Sequence, residues 1–370
     1  MKDFYSFDEF SIPMSVRFLF WGLYMVVFVY AVWKTMLSAP KDRRYMEVSK
    51  LFILFFAAYA VFYCINPDYF RYRDWIYGRD FDLWNKEVFY VYVVLLCRIL
   101  PFNYPFEVFR FIVWGGAVLI AYLTFRKYRE MSAPCLTLLL LFVFYSNTFC
   151  YARASLGMAV YFFGVALILH SCKSAIRLLG IGVALSSVLF HQEMLIGIAL
   201  LPSLLIPFER KEFTFLSVLL LIAAAITISY VNSHLEIFDS MFDNDDLSSK
   251  INEFNDDEQG VFRLSTLVKY LNFFYPLYLI TKCFWKKKQV PTTIGGMYRV
   301  SYSIIMASVA FMIVFGLRSV FVYRVLYISM IPLSLLVGYC YCNGYFKDRH
   351  IAIMLFLALL SNSIRIINAT

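Results

Sequence analysis

What most constrains this chain is the recurrence of long apolar runs from one end to the other. Crossing ~30 Å of hydrocarbon at 1.5 Å per residue takes about 20 residues. With no water to satisfy the backbone, such a segment has to be helical. Candidate spans are 18–38, 48–66, 106–125, 132–149, 154–171, 176–190, 194–208, 213–232, 264–284, 298–316, 319–341 and 350–367. The expected fold is all-α, a polytopic integral membrane helical bundle of about 12 transmembrane helices forming a single domain over 1–370. Composition agrees: 61% of residues are hydrophobic and 16% charged, against about 25% charged in an average soluble domain. The first run follows Asp3, Asp8 and Glu9 instead of a basic stretch, so it is expected to be a retained span and not a cleaved leader.

The net charge of +9 does not point to nucleic acid, because the basic residues sit in short connections beside spans. KDRR (41–44), RKYR (126–129), Lys173 with Arg177, ERKE (209–212), KKK (286–288) and FKDRH (346–350) fall at alternate connections and so share one side. The positive-inside rule makes that side the cytoplasm and puts both termini outside it. The segment VFYVYVVLLCRIL (88–100) ends at Pro101 and is too short to cross. A crossing there would invert every later basic loop, so a re-entrant or interfacial outer helix is expected. The eight cysteines are scattered in apolar surroundings, without a zinc or redox spacing.

Two outer loops are long. The first, within an outer region 66–105, reads NPDYFRYRDWIYGRDFDLWNKE. Its Asp68, Tyr72, Asp74 and Trp75 suit a saccharide, since rings stack on sugar faces and carboxylates accept from hydroxyls. Its arginines Arg71, Arg73 and Arg79 have aspartates beside them and are expected to pair with these. The second, 233–262, is acidic but lacks the glycine and the ligand spacing of a calcium loop, so no metal is expected.

Three outer arginines are not explained in this way. Arg153, in NTFCYARASLG, begins a span and has no acid within a helical turn in sequence. Free N–H groups at a helix start suit an anion, and a guanidinium adds donors matched to phosphate oxygens. Arg318 lies in the turn LRSVF, and Arg324 about one and a half turns into the next span, in VFVYRVLY. An arginine facing lipid at that depth costs about 2.5–3.5 kcal/mol, so Arg324 should face the bundle interior or a wet cavity. The competing reading is a salt bridge to an acid on another helix. In LFHQEM (189–194), His191 and Glu193 occupy a short outer turn. Histidine is well placed to take a proton near neutral pH, though a loop histidine bonded to backbone is the commoner case.

The order of these features resembles the EpsG-like branch of the Wzy-type bacterial polysaccharide polymerases. The resemblance covers about 60–210, and less closely 315–330. It rests on PDYFRYRDWIYG, on Glu87 before the half-hydrophobic segment, and on NYPFEVFRFIV with RKY. NTFCYARASLGMAVYFFGVALI, LFHQEMLIGIALLPSLL and YRVLYISMIP complete it. The chain departs from the family pattern at Ala154, where glutamine is common, and at Gln192, Glu193 and Met194 after the histidine. It also lacks the proline–glycine after Glu87. The resemblance implies a glycosyltransferase of capsule, O-antigen or exopolysaccharide synthesis in the bacterial cytoplasmic membrane, with no cofactor. Its partners would be membrane lipid, undecaprenyl-diphosphate-linked oligosaccharide and other polysaccharide-assembly proteins. The growing chain would leave its lipid diphosphate for a hydroxyl of an incoming unit at the outer face. In these terms Arg153, Arg318 and Arg324 bind the diphosphate, His191 is the base, and Glu193 orients it or substitutes for it. Three rivals remain open: a flippase for lipid-linked oligosaccharide, another lipid-sugar-dependent transferase such as a ligase, and a purely structural membrane subunit of the assembly complex.

Overall fold

The computed structural model describes residues 14–37, 50–51, 54–55, 69–78, 88–101, 103–129, 131, 138, 152–205, 264–286, 290–315 and 320–368. Among these residues helix is the regular structure and no strand occurs. The expected spans 132–149 and 213–232, most of 48–66, the acidic loop 233–262, Asp68 and Arg318 lie outside the described residues.

In chain order the helices are α1 (Met14–Leu37), α2 (Tyr69–Tyr77), α3 (Val88–Ile99), α4 (Pro105–Arg110), α5 (Gly116–Arg126), α6 (Ala152–His170) and α7 (Ser174–Ser186). They continue with α8 (Met194–Leu200), α9 (Leu264–Lys286), α10 (Thr292–Phe315), α11 (Val320–Ile328), α12 (Met330–Cys342) and α13 (Asp348–Asn368). Among the described residues, four stretches are long and apolar enough to cross a membrane: Met14–Thr35, Pro105–Arg126, Arg153–His170 and Thr292–Met312. Val88–Ile99 is a separate apolar helix of 12 residues, a rise of about 18 Å.

Several expected spans are not uniform helices: 176–190 and 194–208 each pass into a 3-10 turn, at Ser187–Leu189 and Leu201–Leu205. The run 106–125 carries a π-turn, Phe111–Gly115, between α4 and α5. The run 319–341 breaks at Ser329, dividing α11 from α12. Pro332 supplies the reason: it has no N–H to offer the Ile328 carbonyl one turn earlier. The Ser329 hydroxyl and N–H both turn back to the Leu326 carbonyl, at 2.7 and 3.0 Å.

Apolar helices in lipid gain little hydrophobic drive toward each other, so close packing decides their contacts. The face of α6 that carries Gly157, Tyr161 and Gly164 makes them. A Cβ on Gly164 would stand 2.5 Å from the Ala184 nitrogen and 2.6 Å from the Gly180 oxygen, so α6 and α7 touch backbone to backbone. One turn earlier, the Tyr161 hydroxyl donates to the Gly197 carbonyl at 2.6 Å and ties α8 to the same face. Helices α1 and α13 run antiparallel, joined where Trp21 Nε1 donates to Ser363 Oγ (3.1 Å) and Asn362 Nδ2 to the buried Tyr24 hydroxyl (2.9 Å).

Among the described residues, the basic connections 126–129, 173–177 and 346–350 meet at one end of this assembly, while 41–44 and 209–212 lie outside those residues. Tyr128, beside Arg126, Lys127 and Arg129, packs its ring 4.2 Å from that of His170, which precedes Lys173 and Arg177. Thr293 contacts Met131, and Cys283 contacts the Tyr345 carbonyl, each at 3.6 Å. Helix α13 starts at this basic end and rises about 30 Å over its length, so its last residues reach the opposite end. There Arg17, near the start of α1, donates to the Ile367 carbonyl.

The backbone contact predicts a sharp contrast. Gly164→Val should destabilise the purified protein by about 1–3 kcal/mol or more through overpacking against main chain. Gly182→Ala, whose Cβ meets nothing within 4 Å, should be neutral or stabilising by up to about 1 kcal/mol. Thermal unfolding in detergent would separate the two, and equal melting would contradict the contact.

Candidate functional site

The end of the bundle opposite the basic connections collects charges from distant parts of the chain. The first contributor is the turn between α7 and α8. His191 N–H and Phe190 N–H both donate to the Ser187 carbonyl, and the His191, Gln192 and Glu193 carbonyls accept from the first amides of α8. This bonding fixes the backbone on both sides of His191 and Glu193. The turn lies directly on α6, because residue 157 is glycine. A Cβ there would approach Met194 Cγ to 3.0 Å, and His191 Cβ and the Ser187 oxygen to 3.4 Å. Gly157 is one helical turn beyond Arg153, so the same packing brings His191 beneath the start of α6.

Helix α11 brings Arg324. Its Nη1 donates to Glu193 Oε1 at 3.0 Å across 131 residues of sequence. His191 Nε2 lies 3.2 Å from the other carboxylate oxygen, Oε2. That is an ion-pair distance whose geometry falls short of a hydrogen bond, so Oε2 is buried without one. Side-chain exposure is 11% for Glu193, 13% for His191 and 38% for Arg324, so the carboxylate is the enclosed member and Arg324 the open one. Burial pushes the Glu193 carboxyl up, but the adjacent His191 and Arg324 outweigh it and hold the group below the usual glutamate range. Glu193 therefore stays ionised and paired. For Arg324, the sequence-level alternative of an acid on another element is what the structure contains.

Arg153 stands in different company. Its guanidinium carbon lies 6.0 Å from the Tyr72 ring centroid and 5.7 Å from that of Trp75. A cation over aromatic faces gains about 0.5–2 kcal/mol. This offsets part of the cost of a positive charge at a helix N-terminus. Arg153's carbonyl accepts from the Tyr90 hydroxyl at 3.2 Å, which ties α3 to the start of α6. Phe89 stacks against Phe190 at 4.4 Å and ties α3 to the His191 turn as well.

Of the loop residues expected to meet a saccharide, Asp74 is exposed on α2, whereas Tyr72 and Trp75 are buried. Tyr72 packs among Trp75, Phe109 and Trp114, and Arg98 holds the Trp75 carbonyl at 2.9 and 2.5 Å. These two rings are thus a seat for Arg153 and not an open stacking surface. The sequence places 69–77 in a long outer loop; the structure folds it into a helix with one face inward.

One residue escaped notice in the sequence. Arg110 is 4% exposed, sits where α4 passes into the π-turn, and lies 5.6 and 5.8 Å from the rings of Phe106 and Trp114. An arginine five residues into an apolar run was the available signal. Trp114 in turn contacts Tyr72, so two aromatic rings connect Arg110 to Arg153.

The EpsG family model matches residues 45–369. The chain belongs to the EpsG family. Membership in the EpsG family points to a membrane-embedded, glycosyltransferase-like polymerase of polysaccharide synthesis. The match includes Arg153, His191, Glu193 and Arg324. No curated protein and no solved structure matches the chain.

The lowered Glu193 value carries a pH signature. A carboxyl whose folded pKa is depressed contributes stability that is present above its unfolded value, about 4.3, and lost as pH falls through the folded one. Glu193→Gln should cost about 1–2 kcal/mol at neutral pH, the low end for a charge-assisted pair because Arg324 is over a third exposed. The melting difference from wild type should close as the pH drops below about 4. A gap unchanged across that range would contradict the pairing.

Proposed function

We propose that the protein joins undecaprenyl-diphosphate-linked oligosaccharide repeat units at the outer face of the cytoplasmic membrane. The observation carrying this reading is the convergence of Arg153, Arg324 and the His191–Glu193 pair at the end of the bundle away from the basic connections. By the positive-inside rule that end faces outward, with the chain termini.

In the reaction, an acceptor hydroxyl oxygen attacks the anomeric carbon of the growing chain, and the bond from that carbon to the lipid diphosphate breaks. The diphosphate leaves with the bonding electrons. Arg153 and Arg324 hold it and stabilise the charge it gains, work for which planar, permanently charged donors are suited. Arg318 assists them. The hydroxyl proton goes to His191. An ionised Glu193 can only accept, so the imidazole presents N–H at Nε2 and keeps the lone pair at Nδ1 as the basic atom. The imidazolium that forms is paired at once with Glu193, the orienting carboxylate. Asp74, exposed on α2, accepts from sugar hydroxyls together with Asp68, while Tyr72 and Trp75 serve through Arg153.

The test is polymer synthesis in cells whose only copy is a variant present at wild-type abundance in the membrane. His191→Ala should lower elongation by about 10²–10⁴-fold. Arg153→Lys and Arg324→Ala should also abolish long chains, each leaving single repeat units on lipid at the outer leaflet. Full-length polymer from His191→Ala would remove it as the base. Units stranded at the inner leaflet would assign the protein to transport.

A further inference from the structure

Glu193 is shared. One oxygen holds Arg324 at 3.0 Å, and the other faces His191 at 3.2 Å without a hydrogen bond, although it is buried. A buried carboxylate oxygen left without a hydrogen bond is costly. The backbone of the turn is fixed from Ser187 to Met194, so the side chain alone can relieve it. Arg324 holds the other oxygen of the same carboxylate. Arg324 is also the most open of the three groups, and so the one an incoming anion reaches first.

We propose that Glu193 is a positioning residue that couples anion binding at Arg324 to proton uptake at His191. When a diphosphate oxygen takes over the Arg324 guanidinium, the carboxylate is released to complete its hydrogen bond with His191, so the base gains strength once the leaving group is seated. This rests on the reading above that a diphosphate binds at Arg324. The consequence is selective. With the diphosphate absent, Glu193 is shared between the Arg324 guanidinium and the His191 imidazole and His191 is a poorer base, so water or a stray hydroxyl meets an idle site.

The charged groups on the elements packed against His191 are few among the described residues. Glu193 is on its own turn, Arg324 on α11 and Arg153 one turn from Gly157 on α6. Arg98, the one charge on α3, is engaged with the Trp75 and Gly78 carbonyls. A seated diphosphate would raise the proton affinity of His191 by its own charge, which makes a Glu193 variant the necessary control.

The experiment uses the full chain in nanodiscs with ¹⁵N-histidine labelling. The four histidines are resolved by a His191→Asn spectrum, and the imidazole is titrated with and without inorganic pyrophosphate. Pyrophosphate affinity is measured in parallel on wild type and Arg324→Ala. The expected result is an upward move of the wild-type His191 midpoint by at least about one pH unit, the size of an added close opposite charge. Glu193→Gln should show a clearly smaller move. A structural role alone for Glu193 would leave the move in Glu193→Gln equal to that in wild type. Should pyrophosphate binding depend on Arg324 while the wild-type midpoint stays fixed, the coupling is overturned and the diphosphate site stands. An equal move in Glu193→Gln overturns the coupling in the same way. If Arg324→Ala binds pyrophosphate as wild type does, or neither binds it, the diphosphate site itself is wrong and the coupling falls with it.

Discussion

The site depends on one buried carboxylate. Glu193 draws together a turn near the middle of the chain and a helix 131 residues later, through Arg324, and has His191 as its second neighbour. Moving an ionised carboxylate out of water costs several kcal/mol unless opposite charge meets it. Glu193 therefore keeps α11 against the α7–α8 turn, and loss of Arg324 would leave the carboxylate with an uncompensated charge.

That carboxylate is placed by packing that carries no charge. Gly164 lets α6 and α7 meet at their backbones, Tyr161 fastens α8, and Gly157 lets the His191 turn lie one helical turn from Arg153. Three residues on one face of one helix thus set the spacing between the arginine over the aromatic seat and the histidine beside the carboxylate. A bilayer favours this economy, because small residues at the crossing provide the close contact that water exclusion provides in a soluble core.

Much of the fold was legible in the sequence because lipid allows few solutions. Apolar runs located α1, α6, α9 and α13 to within a few residues, whereas α10 begins at Thr292, well before its run, and the short run before Pro101 is a separate helix. Arg153, His191, Glu193 and Arg324 stood out as charges in apolar surroundings, and the structure gathers them at one end. What stayed hidden was relational. No local pattern announces a pair spanning 131 residues, so Glu193 was read as His191's companion and its hold on Arg324 went unseen. The break at Ser329 was written in Pro332 but masked by the continuous hydropathy around it. Tyr72 and Trp75 sit in a charge-rich loop sequence, yet Arg98 and Arg153 draw both rings inward. Arg110 was overlooked because the run containing it is apolar on average.

The central claim is that guanidinium groups at this end of the bundle grip the diphosphate of a lipid-linked sugar beside His191. The most direct measurement is a cryo-electron microscopy structure of the full chain in nanodiscs with an undecaprenyl-diphosphate-linked oligosaccharide. The account predicts phosphate density within about 3 Å of both Arg153 and Arg324, with the first sugar next to His191. Phosphate density at the end formed by Arg126, Lys173 and Arg349, with Arg324 still closed on Glu193, would contradict it.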